Sequence, residues 1–170
     1  RIFLRVIAQS LQAHCPGAWS VDKTALHIGA VAFIHGFGSS LNGHVHLYVC
    51  VVDGAFQEVT DDVAADPEPT PASVIFHPVR GVDEGVVIQV QATLRRRILL
   101  AFAGRGLLES FEVKEMLAYQ CSGFSVDAGV CIGGHDRAVL ERLLRYCARP
   151  PIAMERLRKE GAALMYRCAK

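Results

Sequence analysis

At 170 residues, 51% apolar and 21% charged, with a formal net charge of +1, the chain has the length and composition of one soluble globular domain with a sizeable core. A membrane-spanning chain is excluded, because arginine, histidine or glycine interrupts every apolar run before the roughly 18 residues of a spanning helix. Six cysteines (Cys15, Cys50, Cys121, Cys131, Cys147, Cys168) form no C-x-x-C pair, which excludes a zinc ribbon or thioredoxin-type site and leaves free thiols in a reducing cytoplasm as the expectation.

In chain order, residues 2–15 carry apolar side chains at helical spacing (Phe3, Val6, Ile7, Leu11), and Pro16-Gly17 ends the helix. The chain begins inside this pattern without an initiating Met, as a fragment of a longer protein would. Residues 27–35 predict a strand with His35 at its end, and residues 36–43 a loop rich in glycine and serine. A second strand covers residues 44–52. Asp53-Gly54 marks a tight turn, and residues 55–59 can return as a further strand. Residues 60–73 are acidic and proline-rich and read as a flexible loop. Helices are expected over 83–103, which contains Arg95-Arg96-Arg97, and over 107–119. A strand is expected over 124–132, and a helix over 136–149 with Asp136 as N-cap and Pro150-Pro151 as the stop. A short helix within 151–159 and a last strand over 164–168 complete the expectation. These elements make an α+β domain with a central, mostly antiparallel sheet, the histidine strand near its middle and flanking helices.

The second strand is the first place where chemistry surfaces. Side chains two apart in a strand share a face, so His44, His46, Tyr48 and Cys50 line one side and Val45, Leu47, Val49 and Val51 the other. The aliphatic side is expected to be core. Two neutral imidazoles held side by side can hold a divalent metal, or can simply be half-buried histidines with hydrogen-bond partners. If the two strands pair as a hairpin, His35 arrives beside His44 and His46 and becomes one candidate for a third ligand, alongside an acid, a glutamine or water. His14, His27, His77 and His135 have no partner by spacing and read as structural.

The net charge conceals an asymmetry. Residues 51–90 hold eight acids and only Arg80, whereas residues 91–170 hold fourteen Lys or Arg against eight acids. Fourteen of the eighteen basic residues are arginine, a bias that suits bidentate phosphate recognition. On the helix over 136–149, Val139, Leu140, Leu143, Leu144 and Cys147 form an apolar stripe, and Arg142, Arg145 and Arg149 a basic one. Tyr146 falls on the boundary, its ring toward the core and its hydroxyl among guanidinium groups, where an oxygen nucleophile aimed at a phosphodiester would be useful.

His44-Val45-His46, followed later by Arg145-Tyr146-Cys147-Ala148-Arg149-Pro150-Pro151-Ile152, resembles the HUH superfamily, and specifically its rolling-circle insertion-sequence transposases. Phe33 to Gly38 is similar to that group's segment before the histidine strand, and Asp136 to Leu144 to its tyrosine helix. The resemblance runs from about His27 to Cys168. It implies an HUH endonuclease-like fold and a bacterial, cytoplasmic enzyme that nicks and rejoins single-stranded DNA, with hairpin-containing element ends as partner. Tyr146 would be the nucleophile that forms a 5′-phosphotyrosine. His44 and His46, with His35 as third ligand, would hold Mg²⁺ or Mn²⁺, and Arg142, Arg145 and Arg149 would bind the DNA. Many relatives carry a second tyrosine where this chain has Arg142, which marks a single-tyrosine variant. Two other readings are a non-catalytic single-stranded DNA-binding remnant of a decayed element, and a metal-dependent phosphohydrolase using water.

Overall fold

The computed structural model describes residues 1–38, 42–59, 73–120, 123–150 and 152–168. It is α+β, with four helices and strands that pair only antiparallel among the described residues. The strands form three ladders: β1 (Leu26–His27), β4 (Gly54–Val59) and β5 (Ser73–Pro78) in one, β2 (Ala30–Phe37) with β3 (Gly43–Val51) in the second, and β6 (Leu157–Glu160) with β7 (Ala163–Tyr166) in the third. The chain divides into two compact units, Arg1–Gly29 with Val52–Val130, and Ala30–Val51 with Cys131–Lys170. None of the described helices is long and apolar enough to cross a membrane.

The first unit holds α1 (Ile2–Ala13), α2 (Glu84–Ala103), α3 (Ser110–Ala118) and the three-stranded sheet with β4 at its centre. α1 stops where expected: Pro16 has no N–H to extend a helix and opens a short 3-10 turn over Pro16–Ala18 instead. Cys15, Ala18, Leu26 and Ala55 make a small core cluster. The Cys15 thiol donates to the His77 carbonyl at 3.3 Å, and His77 Nε2 lies 2.8 Å from Gln57 Oε1. Burial pushes the Cys15 thiol up, against a smaller lowering from the Ala55 backbone. Asp83 caps α2 by accepting from the Val86 N–H at 3.0 Å, and Leu94 and Leu99 are its buried residues. Of the arginine triplet, Arg95 reaches across to the carbonyls of Met116 and, at 2.6 Å, Tyr119, satisfying groups that the end of α3 leaves unpaired.

Three expectations change in this unit. The strand after Asp53-Gly54 forms, but its partners are β1 and β5, and it has no ladder to β3. β5 was not anticipated: Val74-Ile75-Phe76 is a continuous apolar run without the alternation that marks a half-buried strand. Residues 124–132 form no strand. Their backbone groups go elsewhere: the Gly129 N–H to Asp127 Oδ1 at 2.8 Å, a local turn, and the Val126 N–H to Gln91 Oε1 at 2.9 Å. The expected acidic loop over 60–73 lies, but for Ser73, outside the described residues.

The second unit holds the β2–β3 hairpin, α4 (Arg137–Cys147) and the β6–β7 hairpin. β2 runs through Phe37, beyond its expected end at His35. The ladder is in register from Ala30↔Val51 to His35↔His46 and then slips, so that His44 and Val45 together oppose Gly36, a β-bulge. α4 is capped as read, with Asp136 Oδ1 accepting from the Val139 N–H at 3.1 Å. In place of a helix within 151–159 there is a 3-10 turn over Met154–Arg156, then β6. Gly161 (φ 64°) opens the two-residue loop to β7, where a left-handed residue lets the turn follow the twist of the strands. The aliphatic side of β3 is not core: Val45 is 67% exposed and Leu47 43%. Val49 and Val51, further along the same side, are half-buried, and within this unit α4 meets the opposite side of the hairpin at His35 and Tyr48.

Gly54 is fixed by space. A Cβ there would stand 2.5 Å from the His77 carbonyl oxygen and from the Phe76 ring, and a backbone atom cannot rotate away. Gly54→Ala is therefore expected to cost about 1–3 kcal/mol of stability, measured as a lower urea midpoint at unchanged slope. An unchanged midpoint would show that β5 yields freely.

Candidate functional site

The side of β3 that carries His44, His46 and Tyr48 lies in one compact unit with the tyrosine helix. The bulge seats two histidines against each other, with ring centres 4.0 Å apart and planes inclined by 17°. His44 is exposed and His46 half-buried. Tyr48 continues the row, 6.4 Å from the His46 ring at an interplanar angle of 21°. Across the ladder His35 stands opposite His46, as the hairpin reading required, and meets Tyr48 edge-on at 5.2 Å.

α4 brings the second half. The Tyr146 ring packs edge-on against Tyr48 at 6.3 Å, and the guanidinium carbon of Arg149 sits 5.6 Å from the centre of the Tyr146 ring. Tyr146 remains 52% exposed. His44, His46, Tyr48, Tyr146 and Arg149 thus form a continuous file, with Tyr48 between the imidazoles and the outer phenol. Burial first, then charge coupling and a side-chain hydrogen bond with Tyr146, and last Cys147, push the Tyr48 phenol above its ordinary range. Cys147, buried under this file, has its thiol raised by burial and then by the nearby Cys50.

His35 occupies a particular position. Its Nε2 donates to the Cys147 carbonyl at 2.7 Å, which fixes the ring proton on that nitrogen and leaves only Nδ1 with a free lone pair. Among the described residues no three His, Cys, Asp or Glu side chains converge as a metal site. The adjacent nitrogen donors are the imidazoles of His44, which is exposed, and His46, which is half-buried. Rings stacked so nearly parallel do not aim their in-plane lone pairs at one point, so His44 and His46 would share a divalent ion only after one ring turns, and imidazole nitrogen suits Mn²⁺ better than Mg²⁺.

The three arginines of α4 differ. Arg145 is paired with Glu141, Nη2 at 2.7 Å and Nε at 3.0 Å from one carboxylate oxygen, with both side chains largely exposed. Arg149 lies over Tyr146. Arg142 is exposed and takes part in no ion pair among the described residues. Tyr48 is the site residue that sequence reasoning did not single out, although its position two after His46 already put it on the histidine face.

A family model described as Putative transposase matches residues 29–170, from just before β2 to the end of the chain. Neither the curated proteins nor the solved structures contain a match. The matched region takes in the whole file of side chains from His44 to Arg149, and it covers well over half of the sequence: the chain belongs to this family of transposases.

Proposed function

We propose that this chain is an HUH-type transposase domain that nicks and rejoins single-stranded DNA, with Tyr146 as nucleophile. One observation carries the reading: Tyr146, on α4, stands half-exposed at the end of a file that begins with the paired imidazoles of β3, next to a second phenol and under a guanidinium. In the forward step the Tyr146 oxygen forms a bond to phosphorus as the bond from phosphorus to the 3′-oxygen breaks. The phenol proton passes to solvent water, the leaving 3′-oxygen takes one up, and the 5′-phosphate stays on the tyrosine. Attack by a 3′-hydroxyl on that phosphotyrosine reverses the exchange and rejoins a strand.

Each neighbour has a role that follows from its placement. Arg149 favours negative charge on the Tyr146 oxygen, and Tyr48 orients that oxygen through its hydroxyl. His35 holds the end of α4 against the hairpin. Arg142 and Arg145 bind phosphates along the strand, Arg145 by exchanging a weak surface ion pair for one with DNA. His44 and His46 would hold Mn²⁺ or Mg²⁺, which supplies Lewis-acid polarisation of the scissile phosphate. A non-catalytic DNA-binding remnant is the competing reading, and a covalent adduct separates the two.

Incubating the protein with a hairpin-containing single strand and Mn²⁺ is expected to give a denaturation-resistant protein–DNA band. Tyr146→Phe removes the band and leaves single-strand affinity within about twofold; a band that survives in this variant refutes the nucleophile. Tyr48→Phe is expected to slow adduct formation at saturating DNA about tenfold, the upper end of what one hydrogen bond is worth, with affinity unchanged. His35→Ala should raise amide hydrogen exchange across residues 145–149 by an amount worth about 1–2 kcal/mol, the cost of a lost partly buried hydrogen bond, whereas protection equal to the parent would mean that the helix is held by other contacts.

A further inference from the structure

The β6–β7 hairpin has two unlike sides. Its register pairs Leu157 with Tyr166 and Arg158 with Met165, and the Arg167 N–H donates to the Arg156 carbonyl at 3.0 Å one step further along. By strand alternation Arg158, Met165 and Arg167 therefore face the same way, and Arg156, the last residue of the 3-10 turn, adjoins them through its carbonyl. Together with Glu155 and Tyr166 they line a shallow cavity. Arg158, Met165 and Arg167 are exposed, and Met165 keeps 53% of its surface open. None of the three arginines is in an ion pair among the described residues, where Arg145–Glu141 is the one pair found. Glu155 and Glu160 are the nearby acids along β6, fewer than the guanidiniums they accompany.

Charges of one sign facing each other across a ladder repel, so this arrangement calls for a polyanion. The unit that contains the hairpin has nine Lys or Arg against four Asp or Glu, a surplus of five, while the other unit has nine against thirteen, a deficit of four. The charge is concentrated in the same unit as Tyr146. Met165, an exposed apolar side chain among cations, gains nothing from a duplex whose bases are stacked inside. It does offer a surface to an unstacked base.

Resting on the reading of single-stranded DNA as substrate, we propose that this side of the β6–β7 hairpin is a non-reacting anchor for that strand, in which Arg156, Arg158 and Arg167 bind its phosphates and a base lies on Met165. It lies on a different element from the arginines of α4.

The test is the salt dependence of binding, by fluorescence anisotropy with a 20-nucleotide single strand and a duplex of the same length. Arg158→Gln with Arg167→Gln changes two exposed side chains and leaves the ladder's backbone bonds in place. The slope of log affinity against log salt should become shallower by about 1.4, at about 0.7 per lost phosphate contact. Met165→Ala should weaken single-strand binding several-fold with the slope unchanged. Lys23→Gln with Lys114→Gln, in the other unit, should alter neither. A parent-like slope in the double arginine variant overturns the anchor, and so does an equal loss of affinity for duplex. If the parent forms no adduct but the slope falls as expected, the tyrosine chemistry is overturned and the anchor stands.

Discussion

The second unit depends on one directed contact, the hydrogen bond from His35 to the Cys147 carbonyl, which joins side chain and backbone 112 residues apart. The last carbonyls of a helix have no partner within it, and at the end of α4 the Ala148 and Arg149 N–H groups turn back to Leu144 and Tyr146, leaving the Cys147 oxygen to be met from outside. An imidazole N–H meets it. Because the accepting group is backbone, the bond ties the end of α4 itself to the hairpin, and the Tyr146–Tyr48 ring contact is a second tie. The residue before the acceptor is Tyr146, so fixing Cys147 also fixes the direction of the phenol. His35 thus ties down the element that carries the nucleophile on the proposed reading.

The parts of this arrangement that were legible from sequence are those that local rules determine. The stripes of α4, its Asp136 cap and the pairing of His35 with His46 follow from periodicity and from two strands flanking a glycine-rich stretch. Partner choice was harder to read. Residues 54–59 look as suited to β3 as to any other strand, and only tertiary packing gives them to β1 and β5. Residues 124–132 have partial alternation, yet Asp127 and Gln91 capture the amide groups that a ladder would need. The bulge at His44-Val45 was not legible either. It determines how closely the two imidazoles approach, because it takes the strand out of regular pleat where they sit.

Aliphatic residues at every second position ordinarily mark the buried side, and here Val45 and Leu47 are exposed while Tyr48 and His46 are half-buried. Hydrophobic area is non-directional and can be satisfied by whatever surface is near. The carbonyl of Cys147 and the edge of the Tyr146 ring are directional, and they need the histidine and tyrosine side. Within this unit the polar geometry determines the docking face of α4.

The openness of the file bears on how it could work. A buried nucleophile can be tuned by desolvation, but on the proposed reading the phenol has to reach a polymer and is not enclosed, and Tyr146 is half in water. What remains is local electrostatics. The guanidinium over its ring and the hydroxyl of Tyr48 act over a few ångströms, where solvent screening is weakest. On that reading, holding the polymer long enough for an exposed group to react comes from many weak phosphate contacts, each screened by salt. A basic surface spread along one unit, with arginine in preference to lysine, is the composition such a site requires.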